Sequence, residues 1–325
     1  MRYSANACLL VLLVLLVDTA PAARASEASA EIVAPLSDRQ TLVVAHVDLL
    51  AFDAAETIDW LGDLLELPEG ERNRMQAETV LVNVLRQTLP EDASVDLYVV
   101  SSLADFGRMP FFLALPLEGA TPATAIAAEA RRDLEKAWGR PLQSERIGKA
   151  LVTASPETID RLKKNETPER PEIAAAFSAV GAGAVQVAFV PAAELRKLAE
   201  TIAPQLPQVL GGGETKVFTR GIEWMAAGFE LPPNDVTIRL VVQSPDAEAA
   251  AAVESALIKV FAAVGRVPAV QKAIPEYDEL WKKLMPTASG DRLKLELTDA
   301  NGGVAALTAF AAPVLRALTA GNTTK

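Results

Sequence analysis

His46 is the only histidine in the 325-residue chain. It stands two residues before Asp48 in the run TLVVAHVDL (41–49). An imidazole beside a carboxylate is the pairing that general acid–base catalysis uses. A Ser–His–Asp or Cys–His system also needs a nucleophile held in tight geometry. No G-x-S-x-G elbow occurs, and the single cysteine, Cys8, lies in the N-terminal apolar stretch. Zinc usually draws on several His or Cys ligands, and only one such residue lies beyond that stretch. Residues two apart in a strand are about 7 Å apart at the backbone, so the spacing does not assure a His46–Asp48 bond. The expectation is that His46 and Asp48 are structural and that neither is catalytic.

Five acids gather nearby: Asp48, Asp53, Glu56, Asp59 and Asp63. Paired carboxylates could hydrolyse a glycosidic bond or hold calcium. No D-x-D-x-D-G loop is present, however, and Asp53, Glu56 and Asp63 have the spacing of a solvated helix face, with Asp53 suited to an N-cap. The GGG of 211–213 lacks a following Lys-Ser/Thr and reads as a flexible link to a strand beginning at 221, rather than as a phosphate loop. No metal and no cofactor is expected.

The elements that must position these residues recur. VVAHVDLLAF, from Val43, resembles VQVAFVPAAE, from Val185, with Val44-Ala45-His46-Val47 over Val187-Ala188-Phe189-Val190. An AETI follows in both, at 55–58 and 199–202. The first half then reads as strands at 94–100 and 109–117, a helix over 122–138, a strand at 149–154 and a helix capped by Ser155 with Pro156 at its first position. The second half reads as strands at 221–231 and 235–242, a helix over 245–264, a strand at 291–297 and a last helix over 304–318 that Pro313 should kink. The fold class expected is α+β: two divergent βαββαβα repeats, ferredoxin-like split βαβ units whose antiparallel sheets carry helices on one face. The boundaries are a leader over 26–40, repeats over 41–180 and 181–325, and helical insertions near 68–90 and 267–286. The junction falls between NETPERP (165–171) and GAGA (181–184).

Period-two alternation sorts the faces. Val236, Ile238, Leu240, Val242, Leu293, Leu295 and Leu297 point to the helices, leaving Arg239, Lys294 and Glu296 as a polar cluster on the open face. In the first repeat the open face would carry Phe112, Ala114, Pro116, Tyr98 and Val100, joined by Val43, Ala45 and Val47. So much apolar surface should be covered, first by the chain itself and otherwise by a partner or apolar ligand. Tyr98, Phe112, Arg239, Lys294 and Glu296 are therefore the candidate binding residues. His46 is placed on the opposite face, equivalent to Phe189, so His46→Phe should keep near-normal stability.

Ala7–Val17 (ACLLVLLVLLV) is as long as a signal-peptide core and short for a membrane span. Ala23-Arg24-Ala25 offers an A-x-A cleavage site, making 1–25 a signal peptide and the destination periplasmic or extracellular. An uncleaved anchor is the alternative. Lys and Arg number 31 against 42 Asp and Glu, a net charge of −11, so phosphate backbones and anionic lipid are poor partners. The layout resembles the large, poorly characterised set of secreted bacterial proteins with a signal peptide and tandem α+β repeats. The resemblance rests on no specific motif and transfers no site residues. The function expected is a non-catalytic binding or structural module of the cell envelope. The alternatives are a carrier of an apolar ligand and, third, a carboxylate-based hydrolase.

Overall fold

The computed structural model describes residues 32–64, 67, 69–78, 95–106, 109–117, 123–164, 170–233 and 235–320. Residues 1–25, expected to be a signal peptide, and Val80, Leu81, Val84 and Leu85, within the expected helical insertion near 68–90, lie outside them. In chain order the elements are β1 (Thr41–Asp48), α1 (Ala54–Leu64), α2 (Glu69–Glu78), β2 (Asp96–Ser102), β3 (Phe112–Pro116) and α3 (Ala123–Trp138). Then come β4 (Gln143–Ile147), β5 (Ala150–Ala154), α4 (Pro156–Lys163), α5 (Pro171–Val180), β6 (Val185–Phe189) and α6 (Ala193–Ile202). The chain continues with α7 (Lys216–Gly221), β7 (Trp224–Glu230), β8 (Thr237–Gln243), α8 (Ala247–Val264), α9 (Pro268–Ala273) and α10 (Tyr277–Lys283). It closes with β9 (Thr287–Ser289), β10 (Arg292–Thr298) and α11 (Gly303–Ala320).

The fold is α+β, with a ten-stranded antiparallel sheet in the order β4-β5-β3-β2-β1-β6-β7-β8-β10-β9. Two compact units divide the chain. The first gathers β1 to β6, α3 to α5 and Ala226–Glu230 of β7; the second holds α1, α2, α6 to α11, Trp224 and Met225 of β7, and β8 to β10.

This strand order is not that of a split βαβ unit, in which parallel strands share the sheet. Sequence neighbours pair instead, β1 with β2 and β2 with β3, all antiparallel. Two short edge hairpins account for the difference. Ile147 pairs with Ala150 across Gly148-Lys149, and Arg292 pairs with Ser289 across Gly290-Asp291. Gly148 and Gly290 take positive φ, the conformation that a two-residue hairpin turn requires. β5 then pairs with β3, and β10 with β8.

The expected helix boundaries hold closely where cap chemistry fixes them. Ser155 Oγ accepts the Thr158 amide at the start of α4, and Asp246 Oδ1 accepts the Ala249 amide at the start of α8. The stretch read as a junction contains α5, which begins at Pro171 and stops before Gly181.

The first unit does not have one open sheet face. Every residue of β3 is buried, as are both faces of most of β1 and β6. Strands buried on both sides lose their polar alternation. In the second unit the expected sorting is met on β10, whereas on β8 Thr237, Val241 and Gln243, on the side expected to be open, are buried as well. Val242 and Leu293 pack with Ala250 and Val253 of α8, joined by Leu240 and Leu257. Lys294 and Glu296 are exposed on the opposite face of β10. Val33 and Leu36 are buried too, so the last part of the stretch read as a leader belongs to the core.

Candidate functional site

His46 owes its setting to two strand registers. Across β1–β2 it faces Tyr98, and across β1–β6 it faces Gln186. Directly opposed residues share a face, so His46, Tyr98, Ala114, Val152 and Gln186 lie together. The His46 and Tyr98 rings stack with centroids 4.9 Å apart. This corrects the face assignment. Val43, Ala45 and Val47 belong to the other side, with Phe189 opposite Val43. His46 and Phe189 therefore face opposite sides of the sheet, so the alignment that equates them does not carry over to their side chains.

The imidazole is buried and bonded at both nitrogens. Nδ1 lies 3.2 Å from Gln186 Oε1, and Nε2 lies 2.7 Å from Asp96 Oδ1. Gln186 is itself fully buried, and its Nε2 donates to the carbonyls of Phe177 and Gly181 at the end of α5. That leaves Gln186 Oε1 as an acceptor, so His46 Nδ1 carries a proton and donates it. Asp96, 50 residues away, is the acid that meets the ring. Asp48 instead accepts the amides of Leu50 and Val95 through Oδ1. Burial raises the Asp48 carboxyl above its ordinary value, and Asp96, its cross-strand neighbour, adds to the rise. The bonds from Leu50 and Val95 and the nearby His46 act the other way.

A carboxyl raised in the fold adds stability at low pH and forfeits it as pH rises through the raised value. Asp48→Asn keeps an acceptor oxygen and removes the buried charge. It should stabilise the protein at neutral pH, and the gain should vanish in acid. Chemical unfolding at the two pH values measures this; a neutral-pH loss would contradict it.

The other acids have structural work. Asp53 Oδ1 accepts the amides of Ala55 and Glu56 at the head of α1. Asp59 accepts from Gln76, and Asp63 pairs with Arg72 at 2.6 Å. Glu56 is exposed. Among the described residues no group of three or more His, Cys, Asp or Glu is placed to hold a metal ion. The glycines at 211–213 do not lead directly to a strand. All three take positive φ, the Gln205–Glu214 bridge closes their loop, and α7 precedes β7.

Of the candidate binding residues, Tyr98 and Phe112 are 2% and 1% exposed, so both are core residues and neither offers a surface. Arg239 and Glu296 oppose one another across β8 and β10, with Arg239 Nε donating to Glu296 Oε1 at 3.2 Å. Lys294 is exposed beside them, opposite Val241. These three share the side that the alternation predicts, with Lys294 and Glu296 exposed and Arg239 half-buried among the buried Thr237, Val241 and Gln243 of β8.

Two arrangements were not foreseen. In the first unit, Arg161 bridges Asp38 and Asp105. Nη1 donates to Asp38 Oδ2, and Nη2 donates to Asp105 Oδ2 at 2.7 Å. Asp105 is buried and also accepts the Thr158 hydroxyl at 2.8 Å.

In the second unit, α6 is held by its charged side. Arg196 donates to the carbonyls of Thr219, Ile222 and Glu223 at the end of α7. Glu200, four residues on, accepts two bonds from Arg220 and one from the Thr219 hydroxyl. The Arg220 bonds hold the Glu200 carboxyl down at about 2, with Thr219 adding to the effect. The Glu200–Arg220 clamp therefore persists above the ordinary carboxylate range and weakens only as pH falls toward that value. Residues 196 and 200 lie on one side of a 3.6-residue helix, and 198 and 202 on the other. Leu198 and Ile202 are accordingly 54% and 74% exposed, and no residue of α6 is buried. The Leu195, Leu198, Ile202 spacing, not singled out above, is the sequence signal that marks an amphipathic stripe; its outward direction is not in the sequence.

No family model, curated protein or solved structure matches the chain. Among the described residues no helix is long and apolar enough to cross a membrane.

Proposed function

We propose that this is an exported, non-catalytic binding module of the bacterial cell envelope, and that α6 is its docking element. The observation that carries the reading is the inverted helix: α6 is tied down through Arg196 and Glu200, leaving Leu198 and Ile202 in water. Amphipathic helices of soluble proteins normally bury the apolar stripe. Exposing it costs hydrophobic free energy, which a partner's apolar surface would recover. The pairing of His46 with Gln186 and Asp96 supports a structural ring, and the bonds of Asp53, Asp59 and Asp63 support structural acids.

The strand order also supports a repeat in the revised form βαββαββα. Reading outward, β1-β2-β3-β5-β4 and β6-β7-β8-β10-β9 follow the same rule. Export rests on the apolar run 7–17 and the Ala23-Arg24-Ala25 site.

A photoreactive amino acid at position 202, in cells that make the full chain, tests the reading. The exported fraction should contain a protein beginning near Ser26, with a discrete protein adduct formed from position 202 and none from position 294. Retention in the cytoplasm would contradict export. An adduct from position 294 alone would move binding to the open sheet face of Arg239, Lys294 and Glu296.

A further inference from the structure

The two bonds of His46 impose a condition that a space-filling ring would not meet. Gln186 Nε2 is committed to the carbonyls of Phe177 and Gly181, so the Gln186 oxygen must accept and His46 Nδ1 must donate. Nε2 then faces Asp96 Oδ1 at 2.7 Å. An ionised carboxylate has no proton to give. The contact is a hydrogen bond only when Nε2 also carries one, that is, when the ring is an imidazolium paired with Asp96.

We propose that His46, Asp96 and Gln186 form a proton-dependent latch that joins β1, β2 and β6 to the C-terminal end of α5. With Nε2 protonated, the ring is fixed between Asp96 and Gln186, and Gln186 is aimed at the α5 carbonyls. Those carbonyls lie at a helix end, where intrahelical donors run out. When the Nε2 proton leaves, a lone pair confronts a carboxylate oxygen and the bond is lost. The ring then no longer orients Gln186, and the end of α5 loosens.

Among the described residues, the titratable groups on the packed elements are Asp96 and Tyr98 of β2, Asp48 of β1 and, in the first turn of α5, Glu172, which pairs with Arg170. β6 contributes the neutral Gln186, and α5 contributes backbone oxygens. Both bonds of the ring need a proton on its side, because Gln186 Oε1 and Asp96 Oδ1 each accept. The sign follows: the latch adds stability at the acidic side of the imidazole range and gives it up as pH rises.

The chain has one histidine, so the test is free of overlap. The full chain is labelled with ¹⁵N and its ring nitrogens are observed near pH 6, and unfolding is measured from about pH 5 to about pH 8 for wild type and Asp96→Asn. The asparagine amide can donate to a bare Nε2, so this variant accepts a neutral ring and keeps the fold. The latch predicts protons on both ring nitrogens in the wild type. It also predicts a wild-type stability that falls with pH relative to Asp96→Asn, with faster amide exchange in 171–180 at the alkaline end. A bare Nε2 near pH 6, or parallel pH profiles for the two proteins, would overturn the proposal.

Discussion

His46→Phe should lower the stability of the folded protein by about 3 kcal/mol. The sequence alone suggests otherwise, because Phe189 stands at the aligned position. The register removes that argument, since His46 opposes Gln186 and Tyr98 and has no phenyl ring as its counterpart. A phenyl ring at 46 could still stack on Tyr98. It could not donate to Gln186 Oε1, which is fully buried and out of reach of water. An unsatisfied buried acceptor costs about 1–3 kcal/mol. Asp96 would lose its bond to the ring as well, although its partial exposure lets water replace part of it. The added bulk of the phenyl ring raises the cost in a tightly packed core. Urea unfolding gives the number directly; a change below about 0.5 kcal/mol would restore the space-filling interpretation.

Asp105→Ala should be comparably damaging. Asp105 is 1% exposed, and its two oxygens accept from Thr158 Oγ1 and Arg161 Nη2. Removing it takes from Arg161 Nη2 and from the Thr158 hydroxyl the carboxylate that accepts from them, leaving the hydroxyl only Ser155. Breaking a buried pair from one side costs about 3–5 kcal/mol, and the lower figure applies here because Arg161 keeps Asp38 and partial contact with solvent. Thr158 also bonds to Ser155, the cap of α4, so the loss should spread into that helix. Unfolding of the variant should come about 3 kcal/mol early, with amide exchange in 156–163 accelerated first. Protection in α4 equal to wild type would show that the cap stands without Asp105.

Much of the architecture was legible because local chemistry dictates it. Ser155-Pro156 sets the start of α4, Asp246 that of α8, and alternation in β8 and β10 separates Val242 and Leu293 from Lys294 and Glu296. β4 and β9 were missed because short edge strands need no apolar alternation; Gln143–Ile147 is polar and partly exposed. α5 was read as a junction although Pro171 and Gly181 bracket it, because the charged run before it dominated the segment. The site was much less legible. Asp96 and Gln186 lie 50 and 140 residues from His46, and only strand register brings them together. Equating His46 with Phe189 was enough to turn the histidine to the wrong face. The same limit applies to α6. Its stripe is plain in the sequence, but its direction depends on carbonyls at the end of α7 that only the fold presents to Arg196.

The claim that function lies on α6 and the imidazole is structural is tested most directly by Ile202→Glu, with the photoreactive group moved to position 198. Unfolding should match the parent within about 0.5 kcal/mol, because the side chain is already in water, while the protein adduct disappears. An adduct that survives the charge, or a loss of stability as large as that of a core substitution, would show that the α6 stripe is not a free docking face.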